Sequence, residues 1–244
     1  MTTLAFWHGW GMSPAVWDNL IGELEKELPQ ETAFMPMPLP GYAGTALPTD
    51  AGTADWAGIM MEKLPGPVVL CGWSMGAIMA LSAAHRYPKH VSRLILFGAT
   101  PCFTERPDWN NSMPEKSGHR FREGIKTDPE NTLRRFIAMF NRQDRQARPI
   151  IRQLASHQIP PVSVLNAGLD FLSATDLRPH VPEIRQKTLL VHGAFDPLMP
   201  FEAAYWLAQA LPDARLHVLP GVAHAPFLSE PRQCARLIKQ FLAD

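Results

Sequence analysis

The chain has 244 residues, enough for one domain with a sizeable core, and 46% hydrophobic against 19% charged residues marks a compact globular protein, not a disordered one. Its formal net charge is zero, which excludes a whole-molecule bias toward nucleic acid or an acidic membrane surface. The first nine residues carry no basic n-region, and no apolar run reaches the ~18 residues of a membrane span, so neither a signal peptide nor a membrane anchor is expected.

Short apolar runs alternate with helical patterns, the mark of a parallel sheet flanked by helices. Leu4–Trp7 reads as a strand, followed by a Gly-rich turn and a helix over about 14–28. A weaker strand, Thr32–Met35, leads into a Pro/Gly-rich loop over 36–48, and a helix follows over about 53–64. Val68–Cys71 is a continuous apolar strand, then come a Gly-flanked serine and a helix over 75–87. Further strands are expected at Ser92–Phe97, Thr188–Val191 and Leu216–Leu219, with helices over about 201–211 and 231–242. The stretch 101–178 breaks the alternation with four helical patterns, near 118–126, 129–140, 145–157 and 162–172. It reads as a helical cap inserted into a core formed by residues 1–100 and 179–244. Such a cap would lie over the carboxyl ends of the strands, where open α/β sheets bind ligands. Cys71, Cys102 and Cys234 are odd in number and far apart, which predicts buried free thiols in a reducing, cytoplasmic setting and no zinc site.

The chemistry starts at Gly72-Trp73-Ser74-Met75-Gly76. A Gly-x-Ser-x-Gly match arises by chance in roughly one chain of this length in fifteen, so its setting decides. An apolar strand enters this one and a helix of small residues leaves it. Side chains at 72 and 76 would collide with neighbouring backbone, and the turn lifts the serine hydroxyl above the sheet. A serine needs a base, and the base needs an orienting acid. Asp196, just past the 188–191 strand, and His224, in the loop after the last strand, follow in the order serine, acid, histidine on one sheet edge. His224 is the expected general base and acid, and Asp196 the group that fixes its tautomer. His8 and His192 lie at strand ends beside glycine and are expected to bond loop backbone; His85, His90, His119, His157, His180 and His217 read as surface or strand residues. Asp170 and Asp176 are rival acids, but both fall in the cap. The Gly9-Trp10-Gly11 turn after the first strand is placed to supply an oxyanion donor, the backbone N–H of Trp10, beside that of Met75. The glycines on either side predict a solvent-facing Trp10. This machinery requires no metal or organic cofactor.

Along nearly its whole length the chain resembles the α/β-hydrolases. More narrowly it resembles the esterases of biotin synthesis that cleave the methyl ester of pimeloyl-[acyl-carrier protein]. The residues that carry this likeness are His8–Met12, Gly72–Ala77, Val164–Leu169, Asp176–Arg178 and Ala223–Phe227. The resemblance implies a triad of Ser74, Asp196 and His224, and substrate contacts at Trp10, Ser74, Met75, the cap helix segment with Phe136, Met139 and Phe140, and His224. Many α/β-hydrolases open with an antiparallel hairpin that this sequence lacks, so about six strands are expected.

The cap carries a local charge bias. From His119 to Arg152 there are nine Lys/Arg and four acids, a surplus of five positive charges in a neutral protein. Arg145, Arg148 and Arg152 recur at i, i+3 and i+7, which predicts one helix face. A solvated basic face and a docking surface for an acidic partner both fit that pattern. The resemblance implies an acyl-carrier protein as that partner, with Arg135 and Arg148 the best positional matches and Arg142, Arg145 and Arg152 approximate ones. Phe136, Met139 and Phe140, on the other side of their helix, face either an acyl chain or the core. The expected enzyme is a monomeric serine carboxylesterase. A general esterase for small-molecule esters, a carbon–carbon bond hydrolase, an enol-lactonase and a non-catalytic small-molecule receptor remain the alternatives.

Overall fold

The computed structural model describes residues 2–50 and 54–244. Six strands, β1 (Thr3–Trp7), β2 (Ala33–Met37), β3 (Val68–Trp73), β4 (Val91–Phe97), β5 (Lys187–Gly193) and β6 (Ala214–Leu219), form one sheet in the order β2-β1-β3-β4-β5-β6. Every pairing is parallel. The chain runs outward from β1 to β2, then crosses back to place β3 on the other flank of β1. The order therefore switches between β1 and β3, and the crevice beyond the carboxyl ends of such a pair is where these sheets place ligands.

Burial explains which strands were plain to read. All six residues of β3 are buried, as a central parallel strand covered on both faces requires. The edge strand β2 is only half covered and carries Pro36, opposite Phe6 of β1. A proline lacks the N–H that a further neighbour would need, so an edge is where it is tolerated.

The flanking helices are α1 (Asp18–Glu27), α2 (Trp56–Met61), α3 (Met75–Arg86), α8 (Phe201–Ala210), α9 (Pro226–Ser229) and α10 (Pro231–Ala243). The expected single helix over 14–28 is a 3₁₀ turn, Pro14–Trp17, followed by α1. Thr53, the expected start of the next helix, lies outside the described residues. The one-turn helix α9 was not expected, although Pro226 sits at a first helical position, where its fixed φ is an advantage. On one face of the sheet Trp17 stacks on Phe227 at 4.2 Å between centroids, and Phe97 and Trp73 close around the same ring. Cys71, Cys102 and Cys234 are buried and free.

Four helices, α4 (Glu115–Thr127), α5 (Pro129–Phe140), α6 (Ala147–Ala155) and α7 (Val162–Ala174), come between β4 and β5. The two ends of this helical segment are tied together. Cys102 pairs with Asp176 in an antiparallel bridge, and the Leu177 N–H donates to the Pro101 carbonyl at 2.9 Å. Asp176 in turn holds Arg178 through a forked pair of hydrogen bonds.

The start of α6 corrects the sequence reading. A helix beginning at Arg145 would need an N–H from Pro149, which has none, so α6 begins at Ala147 and carries Pro149 in its first turn. The Arg145 N–H donates instead to the Gly221 carbonyl at 3.0 Å, and its guanidinium pairs with Glu230 at 2.5 Å. Arg145 therefore does not share a helix face with Arg148 and Arg152, which remain together on α6. Among the described residues no helix is long and apolar enough to cross a membrane.

Candidate active site

Ser74 sits between β3 and α3 with φ 56° and ψ −118°, a left-handed conformation that a residue with a side chain adopts only under constraint. The constraint is close packing on both sides. A Cβ on Gly72 would lie 2.6 Å from the Gly76 carbonyl oxygen, and one on Gly76 would lie 2.6 Å from the Trp7 carbonyl carbon. The turn is thus pressed against the ends of β1 and of its own helix, as the glycine spacing predicts. The Ser74 hydroxyl makes no capping bond to α3, so it does not serve the helix it precedes. The residue is 8% exposed.

His224 and Asp196 are brought together at the same edge. His224 Nδ1 lies 2.7 Å from Asp196 Oδ2, while Asp196 Oδ1 accepts the N–H groups of Leu198 at 2.9 Å and Met199 at 3.0 Å. Burial pushes the Asp196 carboxyl up, but the His224 and His192 rings and the Met199 N–H outweigh it and hold the group below the usual carboxylate range. An ionised Asp196 makes Nδ1 of His224 the protonated nitrogen and leaves Nε2 as an acceptor. Gly98 lets the imidazole lie close to β4, since a Cβ there would be 3.0 Å from its Nδ1. Trp73 donates its indole N–H to the His224 carbonyl at 2.9 Å, and Phe140 lies edge-on to the imidazole at 5.5 Å.

The turn after β1 borders the serine, for a Cβ on Gly9 would lie 3.3 Å from the Ser74 Cβ. His8 braces that turn. Its Nε2 accepts the Leu39 N–H at 3.2 Å, so Nδ1 carries the proton and donates to the Gly9 carbonyl at 2.9 Å. Burial lowers its pKa to about 4, which keeps it neutral. The Gly11 N–H is taken up by the Tyr42 hydroxyl at 2.9 Å. Met75 is the first residue of α3, where a backbone N–H has no intrahelical acceptor.

Trp10 departs from the sequence reading. It is 4% exposed, donates its indole N–H to the Leu165 carbonyl at 2.8 Å and meets Phe136 edge-on at 5.1 Å. The cause is Gly168 on α7. A Cβ there would lie 2.5 Å from the Trp10 Cδ1, so the glycine lets the helix cover the indole. Glycines beside Trp10 spoke only for the turn; the long-range contact decided burial.

Phe136 and Phe140 are buried and Met139 is partly buried. Phe140 is wedged between Trp73 and His224, and Phe136 between Trp10, Phe121 and Phe140. These rings form the contact between α5 and the site. The rival groups are otherwise engaged: Asp170 pairs with Arg122 at 2.6 Å, and His192 Nε2 lies 2.8 Å from the Met199 carbonyl. Away from this edge, His85, His180 and Glu183 bring ligand atoms within 4.8 Å of one another; the two imidazoles stack at 4.5 Å between centroids and 26° between planes, and His85 Nδ1 lies 3.5 Å from the Glu183 carboxylate.

Arg135, Arg142, Arg148 and Arg152 are exposed, and among the described residues none has a carboxylate within 4.0 Å. Arg134 is paired to Glu130, and Arg145 to Glu230.

This fold and this serine turn define a class, and the comparisons agree. Residues 4–237 match the model of the alpha/beta hydrolase family, and the chain belongs to that family. Several relatives carry the name pimeloyl-[acyl-carrier protein] methyl ester esterase. The protein of that name from Aromatoleum aromaticum is 40% identical over 97% of this chain and 96% of its own length, and that from Nitrosomonas europaea 34% identical over 94% and 91%. Among solved structures, an esterase from Exiguobacterium antarcticum superimposes with a TM-score of 0.85 at 24% identity, over all of this chain and 92% of its own. An enol-lactonase from Burkholderia xenovorans gives 0.81 at 17% identity over the same shares of the two chains. At such identities these structures speak for the fold alone.

Proposed function

We propose that this protein hydrolyses the methyl ester of pimeloyl-[acyl-carrier protein], in the cytoplasm and as a monomer, as a step of biotin synthesis. The observation that carries the chemistry is the strained Ser74 turn at the switch between β1 and β3, on the sheet edge that also holds the His224–Asp196 pair. The names of relatives identical at up to 40% over nearly the whole chain support the substrate.

Ser74 Oγ attacks the ester carbonyl carbon while Nε2 of His224 takes its proton. Asp196 keeps Nδ1 protonated and stabilises the imidazolium. The backbone N–H groups of Trp10 and Met75 receive the oxyanion. His224 then protonates the departing methoxide, and methanol leaves an acyl-enzyme. Water, deprotonated by His224, attacks that ester; the proton returns to Ser74 Oγ, and the free ω-carboxylate leaves. Residues 101–178 act as the cap, with Trp10, Met75, Phe136, Met139 and Phe140 forming the apolar surround of the acyl chain. Arg135, Arg142, Arg148 and Arg152 supply unpaired positive charge for the acidic carrier, while Arg145, already paired with Glu230, contributes less.

The test is a burst experiment with a chromogenic ester together with the natural type of substrate. Wild type should release one equivalent of chromophore per site in a fast phase and convert the carrier-bound methyl ester to the acid plus methanol. Ser74→Ala should do neither. Conversion of the methyl ester by Ser74→Ala at the wild-type rate would refute the assignment.

A further inference from the structure

Asp144 lies in the turn between α5 and α6, well away from the Ser74, His224 and Asp196 side chains in sequence, and is 6% exposed. Its carboxylate gathers three donors. Oδ1 accepts the Gln146 N–H at 2.7 Å and the Ser229 hydroxyl at 2.8 Å, and Oδ2 accepts the Ala223 N–H at 2.7 Å. Only the first of these belongs to the turn itself. The turn is already closed by backbone bonds from Asp144 N–H to the Asn141 carbonyl and from Ala147 N–H to the Asp144 carbonyl, both 3.0 Å. The other two donors come from outside the helical segment, one from the residue before His224 and one from α9, which follows it.

A carboxylate is costly to bury unless its oxygens are satisfied, so a buried one spent on another segment's backbone marks a fixed geometry. Neighbouring bonds act in the same direction. The Arg145 N–H holds the Gly221 carbonyl at 3.0 Å, and the His224 N–H points to the Phe140 carbonyl at 3.4 Å. The segment Gly221–His224 is therefore stitched to the end of α5 and the following turn, and the Asp144–Ala223 bond is the shortest stitch.

We infer that Asp144 is a positioning residue for the general base: it fixes the main chain of the His224 loop from the side of the helical segment, while Asp196 fixes the imidazole from the sheet side. Both restraints are needed because a ring held by one hydrogen bond at Nδ1 can still swing about it. The same turn carries Arg142 and Arg145, so the clamp also sets where the basic face of the helical segment stands relative to the base. The inference rests on the proposed role of His224 and adds to it a residue that touches no substrate.

The variants Asp144→Asn and Ser229→Ala test it by rapid-mixing kinetics with a small chromogenic ester. An amide at 144 cannot accept on both oxygen positions, so either the Ala223 or the Gln146 N–H loses its acceptor, while the Ser229 hydroxyl can turn to accept from the NH₂. The fraction of Ser74 labelled at completion by a fluorophosphonate counts correctly built sites, and single-turnover kinetics with enzyme in excess report acylation at each of them. Asp144→Asn should keep the wild-type labelled fraction while its acylation rate constant falls on the order of 10²-fold, the usual cost of a displacement of about 1 Å. Ser229→Ala, which leaves the Ala223 bond in place, should fall only about threefold to fivefold. A lowered labelled fraction with an unchanged rate constant would show a merely structural role and overturn the inference. Should Asp144→Asn not fold, an unaltered rate constant in Ser229→Ala overturns it equally. A wild-type enzyme whose Ser74 takes up no label removes the Ser74 reading itself, a result distinct from either of these.

Discussion

Replacing Asp196 by asparagine changes one atom's chemistry at a site with little room to adapt. The wild-type carboxylate has a fixed division of labour: Oδ1 takes the Leu198 and Met199 N–H groups at 2.9 and 3.0 Å, and Oδ2 takes His224 Nδ1 at 2.7 Å. An asparagine must keep its carbonyl on the two backbone donors, since turning its NH₂ toward them would set three donors against one another. The NH₂ then faces Nδ1, which must become the acceptor, and the imidazole proton moves to Nε2. That nitrogen can no longer take the Ser74 proton. Loss of the correct tautomer in a triad of this geometry costs about 10⁴ in kcat, or ~5 kcal/mol of barrier. Binding of a short ester does not use Asp196, so KM should stay within a few-fold. The assay is steady-state hydrolysis near pH 7.5, with circular dichroism to verify the fold. A variant within tenfold of wild-type kcat would refute the tautomer argument. Stability supplies a second reading. Because the folded carboxyl is held below its ordinary value, its contribution is present above the unfolded pKa and is lost as pH falls through the lower, folded one. The stability gap between wild type and Asp196→Asn should therefore narrow on acidification below about pH 4.

His8 should reveal itself as an acid-sensitive brace. Its pKa falls from 6.5 to about 4 on folding, so its stabilising effect is complete above 6.5 and declines as pH drops toward 4. That decline amounts to about 3 kcal/mol. His8→Gln has no charge to acquire, so urea midpoints measured between pH 7 and pH 4 should fall less steeply than in wild type; parallel curves would contradict this. Trp73→Phe deletes the indole N–H that serves the His224 carbonyl at 2.9 Å. Leaving that buried acceptor unpaired should cost about 1–2 kcal/mol, a Tm loss of roughly 3–6 °C for a chain of this size, and an unchanged Tm would count against the bond.

Much of this architecture was legible because it rests on local rules. Parallel strands buried on both faces read as continuous apolar runs, which is why β3 and β5 stood out. The serine, acid and histidine are each announced by the strand they follow. Gly72 and Gly76 predict a tight turn from spacing alone, and their contacts with Gly76 and Trp7 backbone supply the reason. What escaped the sequence was decided across the chain. Trp10 was expected to face solvent, and Gly168, more than 150 positions away, buries it. Arg145 was expected on a helix, and the bond to Gly221 together with Pro149 keeps it off. The latter had a readable signal, since a proline three to four residues into a periodic pattern sets where the helix can begin. Asp144 looked like one acid in a basic stretch, and nothing local distinguishes a solvated aspartate from one whose partners lie near residue 223.

The central claim is an ester delivered by an acidic protein, and kcat/KM compared for pimeloyl methyl ester on its carrier and for the same ester free in solution tests it most directly. The unpaired arginines on α5, on α6 and in the turn between them should steer the carrier-bound form, giving it the larger kcat/KM at low salt and a steep loss as ionic strength rises. Arg148→Glu should weaken the carrier-bound reaction while leaving the free ester unaffected. Equal values for the two substrates, indifferent to salt and to Arg148→Glu, would contradict the account and leave a general esterase in its place.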